Sequence, residues 1–149
     1  LKVSLDIDSR FDETLVTIEC PELTEDVQEV LTFIKGRTTK FLIGKEGDMQ
    51  HIIKPNEIHY CHTENEKVIA VTKKGSFQLR ERLYELEELL PTHQFIRLSK
   101  SVIANLYELS RFEASFNGTL CVHFKSGAKE YVSRTYVKDI KNALQMNRR

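Results

Sequence analysis

Cysteine is scarce and oddly distributed. Cys20, Cys61 and Cys121 are an odd number at wide spacings with no Cys-x-x-Cys pair. That argues against a disulfide framework and a zinc ribbon, and it predicts reduced core thiols. No apolar run approaches the length that spans a bilayer, and the N-terminus lacks the basic, apolar and small-residue succession of a signal peptide. A cytoplasmic protein with no membrane partner is expected. A glycine-rich phosphate loop and a Gly-x-Ser-x-Gly elbow are both missing, and Ser99, Lys100 and Ser101 lack the Ser-x-x-Lys spacing that sets an amine beside a hydroxyl. Neither catalysis nor a cofactor is expected. His59, Cys61 and His62 begin a metal site, with His59 and Cys61 on one strand face, but no second pair completes it. The expectation is no metal, with His and Cys buried in a strand. Internal repeats and low-complexity segments are absent as well.

What is there suffices for one packed core and a small appendage, at 149 residues with 40% hydrophobic content. The formal net charge is zero, from 22 basic and 22 acidic side chains, but it is segregated. Residues 1–33 hold two basic and nine acidic groups, a net of −7, and residues 34–149 hold twenty basic and thirteen acidic, a net of +7. A polyanion-binding domain with a separate acidic module shows this distribution, and so does a solvated surface without a partner.

The chain divides near residues 36–50. Val3, Leu5 and Ile7 alternate with Lys2, Ser4, Asp6 and Asp8, residues 9–13 turn, and Leu15, Val16, Ile18 and Cys20 alternate again, as in a two-stranded hairpin. A helix is expected next, capped by Thr24, with Glu25 and Asp26 in its first turn, Val27, Val30, Leu31 and Ile34 on its apolar face, and Gly36 at its end. Residues 1–37 thus read as a β-β-α module, too small to be stable alone, that packs on the rest of the chain or on a second copy. Residues 38–149 read as a second unit of short strands over 40–43, 49–53, 58–62, 67–72, 76–79, 95–98, 108–114, 119–125 and 129–132. Turns fall at Glu46-Gly47, Lys74-Gly75, Asn117-Gly118 and Ser126-Gly127, and the Asn-Gly pair suits a type I′ turn with positive φ at both positions. Leu79, Leu83, Leu86 and Leu90 at helical spacing before Pro91 predict a helix over 80–90. Another, over about 134–146, is capped by Ser133 and turns Val137, Ile140 and Leu144 inward. The fold class is mainly β with short helices, α+β.

In series, a strand from Glu57 to His62, a strand from Lys67 to Thr72, the leucine helix ending in Leu90-Pro91, Phe95, Ile96 and Arg97 with Ser101 and Asn105, a long hairpin, and Val132, Ser133, Arg134 and Tyr136 resemble the LytTR family of DNA-binding domains of bacterial transcription regulators. The resemblance covers residues 40–145. It implies an antiparallel β fold that presents loops, not a recognition helix, to successive major grooves of promoter DNA. The sequence agrees, because the leucine helix is followed by a proline and a strand, and its exposed face carries Glu81, Glu85, Glu87 and Glu88, which phosphates would repel.

Carried over by position, the resemblance puts DNA-facing residues at Asn65, Glu66 and Lys67, at Lys100, and at Arg134, Thr135 and Lys138. Lys100 offers a flexible charge to a guanine edge or to a phosphate. Arg134 lies where helix N–H groups also receive a phosphate, or it packs on Tyr131 or Tyr136. Arg97 has two readings, phosphate clamp and structural ion-pair partner, and Asn105 is expected to close a turn. Glu66 accepts from a cytosine amine, or the contact falls to Lys67. Many LytTR regulators carry a phosphate-accepting receiver domain, for which residues 1–37 are too short, so a stand-alone, response-regulator-like, homodimeric regulator of double-stranded promoter DNA is expected. The rival reading is a non-enzymatic module whose basic loops dock an acidic protein.

Overall fold

Residues 2–37 and 41–146 are described in the computed structural model of the chain. Ten strands and three α-helices follow in the order α1 (Glu25–Arg37), β1 (Leu42–Glu46), β2 (Met49–Ile53), β3 (Ile58–Glu64), β4 (Lys67–Thr72), β5 (Gly75–Leu79), α2 (Leu83–Leu89), β6 (Phe95–Ser99), β7 (Val102–Asn105), β8 (Leu109–Ala114), β9 (Leu120–Phe124), β10 (Lys129–Val132) and α3 (Arg134–Met146). The start expected at Lys40 lies outside the described residues. One sheet has seven strands in the order β2-β1-β5-β4-β3-β7-β6 and a second has three, β10-β9-β8, with every pairing antiparallel. The mainly β, α+β class read from the sequence holds.

Strand alternation builds two cores. Leu42, Ile53, Ile58, Cys61, Val68, Ala70, Phe77 and Leu79 from β1 to β5 meet Leu83, Leu86 and Leu90 of the α2 region in the first. Leu98, Val102, Ala104, Leu120, Val122, Phe124 and Val132 meet Ile140 in the second, with Val137 and Leu144 packed against it. The β6–β7 hairpin is the wall between them: Phe95 and Ile103 face one core, Leu98, Val102 and Ala104 the other. All four residues of β7 are therefore buried. A strand covered on both faces loses the polar alternation that marks strands in a sequence, which is why β7 was not among those expected.

β1 and β3 run on to Glu46 and Glu64, past the expected ends at 43 and 62, and three larger expectations change. First, α2 begins at Leu83, because β5 runs on through Leu79 and the Glu85 carboxylate accepts the Arg82 N–H at 3.1 Å to set the helix start. Glu81 is consequently not on an exposed helix face; it is half-buried ahead of the helix. Second, β8 begins at Leu109, since buried Asn105 accepts the Tyr107 N–H at 3.0 Å, winds a single 3-10 turn, and donates to the Ile58 carbonyl at 2.8 Å. Asn105 closes a turn, as expected. Third, residues 2–24 form no strand. Only the turn of the expected hairpin is present, with the Phe11 N–H on the Asp8 carbonyl at 3.2 Å and Arg10 beside Asp6 at 3.3 Å. A two-stranded ribbon without a third strand or a covering helix is marginal in water. The helix after it does form: Thr24 Oγ1 accepts the Val27 N–H at 3.4 Å, Val27 is buried, and Phe33 packs at a tilt against His93 with ring centroids 4.6 Å apart.

Candidate nucleic-acid interface

Two backbone hydrogen bonds draw three distant loops together. The β3–β4 turn is tied to the β6–β7 turn by the Thr63 N–H on the Ser101 carbonyl at 3.0 Å. The residue preceding α3 is tied to β6 by the Ser133 N–H on the Leu98 carbonyl, also at 3.0 Å. Asn65, Lys100 and Arg134, 35 and 34 positions apart in sequence, are thereby carried on adjoining loops.

Each loop has a local reason for its shape. Asn65 and Glu66 both take positive φ, 50° and 66°, as a two-residue type I′ connection between β3 and β4 requires. Lys67 opens β4 opposite Glu64 and is exposed. The β6–β7 turn is braced by Arg97, whose guanidinium donates to the carbonyls of Ser99 at 3.3 Å and Lys100 at 2.7 Å and pairs through Nε with Glu87. The Arg97 side chain is only 16% exposed. Of its two readings the structural one describes what it does here: it fixes the turn that presents Lys100, itself exposed. Arg134, Thr135 and Lys138 are exposed on the first turns of α3. Arg134 does not need Tyr131 or Tyr136 for support, because its stem crosses Gly118, where an added Cβ would stand 3.2 Å from Arg134 Cδ. Gly118 and Asn117 both have positive φ, 75° and 56°, as expected of this pair, although the connection spans residues 115–119 and not two alone.

Asn65, Glu66, Arg97 and Lys100 line one open concavity with Arg82 and Tyr84. Arg82 was not singled out in the sequence, where a helix over 80–90 placed it among other charged residues; the helix starts at Leu83 and leaves Arg82 exposed at its N-cap, beside the concavity. Chemically, these loops offer exposed cations at positions 67, 82, 100, 134 and 138 and the N–H groups of a helix start, with the acid Glu66 in the β3–β4 turn, Glu64 across from Lys67 and Glu87 taken up by Arg97.

Metal ligation at positions 59, 61 and 62 has no geometric basis. A register shift between Ile58 and Tyr60 turns Ile58 and Cys61 into the same core, while His59 approaches Glu108 at 4.0 Å. Burial, with the Glu81 carboxylate adding to it, pushes the Cys61 thiol up to about 12, which keeps it protonated. Glu113, Cys121 and His123 do bring one donor atom each within 4.8 Å on the outer face of β8 and β9. The Glu113 carboxylate is already bonded to His123 at 3.0 Å, which holds it below the usual carboxylate range, and Arg111 and Lys129 crowd it. The exposed Glu113 is thus committed to His123, and Cys121 lies buried beside them.

A family model described as the LytTr DNA-binding domain matches residues 48–145. Two relatives from Staphylococcus aureus, strains NCTC 8325 / PS 47 and COL, described as uncharacterized HTH-type transcriptional regulators, are each 34% identical over 150 residues, covering 98% of this chain and 99% of their own. The LytTr DNA-binding domain of a protein from Bacillus cereus described as a methyl-accepting/DNA response regulator shares the fold. Its TM-score is 0.68 at 21% identity, over 71% of this chain and 97% of that one. Among the described residues no helix-turn-helix occurs, since α2 is followed by Pro91 and β6.

Proposed function

Because the chain belongs to the LytTR family of DNA-binding domains, we propose that it is a sequence-specific transcription regulator that docks the β3–β4, β6–β7 and pre-α3 loops onto promoter DNA through the major groove. The observation that carries this reading is the pair of bonds, Thr63 to Ser101 and Ser133 to Leu98, that gathers Lys67, Lys100, Arg134 and Lys138 on adjoining loops. Phosphates are met by clustered cations, and the helix start at Arg134 adds N–H donors for the same group. In this reading Lys100 reaches a base edge, Arg134, Thr135 and Lys138 hold a phosphate, and Arg97 positions Lys100 without touching DNA. Asn65 and Lys67 contact the backbone from the neighbouring loop, and Glu66 faces a cytosine amine. Residues 38–149 are the DNA-binding unit, residues 1–37 serve association, and the working form is a cytoplasmic homodimer on paired sites, with no catalytic step.

A gel-shift titration with promoter-derived duplex against a scrambled duplex tests this. Preference for the promoter duplex of at least tenfold is expected. Equal affinity for both leaves non-specific electrostatics only, and no binding to either favours an acidic protein partner for the same loops.

A further inference from the structure

Cys121 stands on the side of its strand that faces away from the core. Leu120, Val122 and Phe124 of β9 turn into the second core, so Cys121 and His123 lie on the opposite, outer face of the three-stranded sheet. Cys121 is nevertheless buried. Antiparallel register sets Glu113 of β8 and Tyr131 of β10 on its two sides, and sets Arg111 and Lys129 on the two sides of His123. Three unlike donors converge there. His123 Nε2 lies 3.0 Å from a Glu113 carboxylate oxygen and 3.8 Å from Cys121 Sγ, and all three ligand atoms lie within 4.8 Å of one another.

We propose that Glu113, Cys121 and His123 form a binding site for one divalent ion of the thiolate-seeking, zinc kind. An ion bonded tetrahedrally at about 2.3 Å to sulfur, about 2.0 Å to imidazole nitrogen and about 2.1 Å to carboxylate oxygen holds sulfur and nitrogen roughly 3.6 Å apart, and nitrogen and oxygen roughly 3.4 Å apart. The observed 3.8 Å and 3.0 Å differ from these by about 0.2 Å and 0.4 Å, so small side-chain rotations seat the ion on an unmoved sheet. The hydrogen bond between Glu113 and His123 keeps the two aimed at each other. On binding, the ion replaces the proton they share, the Cys121 thiol proton passes to solvent, and His123 coordinates through Nε2. A fourth position remains for water on the solvent side, where Glu113 is exposed.

Charge selects the kind of ion. With Arg111 and Lys129 beside the site, a hard ion such as Mg²⁺ or Ca²⁺ would have a single carboxylate to hold it against two cations. It is repelled. A zinc-like ion has both of its charges cancelled by the thiolate and the carboxylate together, and it gains a sulfur bond that hard ions do not make.

Cobalt(II) titration of the full 149-residue chain reads the site, because thiolate ligation gives cobalt a near-ultraviolet charge-transfer band. One equivalent should develop the band, zinc(II) should erase it, and a large excess of Mg²⁺ should not. Cys121→Ser should abolish it, whereas Cys20→Ser, which removes the exposed thiol, should leave it intact. Losing a ligand costs at least what losing an outer-shell partner does, so His123→Gln and Glu113→Gln should each weaken zinc binding about tenfold or more. Both side chains are on the outer face, so these two variants decide the matter even if Cys121→Ser fails to fold. Zinc should also raise the thermal midpoint of the parent chain and not that of His123→Gln. A parent chain that develops no charge-transfer band, a band that survives Cys121→Ser or disappears with Cys20→Ser, or zinc affinity unchanged in both His123→Gln and Glu113→Gln overturns the proposal. None of these readouts involves DNA, so the outcome is independent of the proposed regulatory reading.

Discussion

Lys100 and Arg134 differ in what holds them, and that difference makes their roles separable. Lys100 projects from a turn fixed from behind by Arg97, while Arg134 lies across Gly118 at the start of a helix. Both are exposed, so truncation removes charge and not core. If Lys100 reads a base edge, Lys100→Ala costs about 1–3 kcal/mol on the promoter site and little on scrambled DNA. Arg134→Ala lowers affinity for all sequences about equally and reduces the salt slope by about one. Glu88→Ala, exposed on α2, leaves binding unchanged or slightly tighter; Glu81 would be a poor control, being half-buried beside Cys61. Competition titrations at two salt concentrations check all three, and a Lys100→Ala chain that binds promoter DNA as the parent does would remove the loop-docking assignment. Arg97→Ala should reproduce the specific loss of Lys100→Ala, because freeing the Ser99 and Lys100 carbonyls loosens the turn that aims Lys100.

At the scale of elements, the fold depends on a few close contacts that join strands. Gly44 of β1 sits where an added Cβ would collide with Ile53 Cδ1 and come within 2.6 Å of Phe77 Cβ. Gly44→Ala forces β1 away from β2 and β5, and overpacking of this kind costs about 1–3 kcal/mol. Urea denaturation should show a lower midpoint with an unchanged slope. Asn105 links β7 to the Ile58 carbonyl of β3 and to the Tyr107 N–H. Asn105→Ala leaves the buried Ile58 carbonyl and the partly buried Tyr107 N–H without this partner, at about 1–3 kcal/mol for each one water cannot reach. Wild-type stability in either variant would contradict these roles. Much of this layer was legible beforehand: β2, β4 and β10 follow the expected limits, because alternation and turn residues coincide there. The start of α2 was not legible, since leucines 79, 83, 86 and 90 have helical spacing whether Leu79 ends a strand or opens a helix.

For the molecule as a whole, the charge segregation sets the behaviour that is easiest to measure. With +7 on residues 34–149 and −7 on residues 1–33, the larger segment is not neutral even though the chain is. Affinity for duplex DNA should fall with salt at a log–log slope of about −3 to −7, corresponding to some four to eight phosphates neutralised per bound unit. Equilibrium titration across a salt series measures it, and a flat response would remove DNA from the reading.

The sequence by itself determined the class of fold, the family, the late helix, the acidic-to-basic division and the candidate DNA residues, because each is written in local spacing or in a run of short motifs. Only the tertiary structure decided which of those residues act on one another. That Arg97 serves the Lys100 turn, that Arg82 reaches the same concavity and that Arg134 rests on Gly118 are side-chain contacts no local spacing announces, and the loops that carry them meet across two backbone hydrogen bonds, Thr63 to Ser101 and Ser133 to Leu98, that span 38 and 35 positions. The expected hairpin of residues 3–20 marks the opposite limit: its alternation is plain in the sequence, yet residues 2–24 form no strand, because a two-stranded ribbon without a third strand or a covering helix is marginal in water.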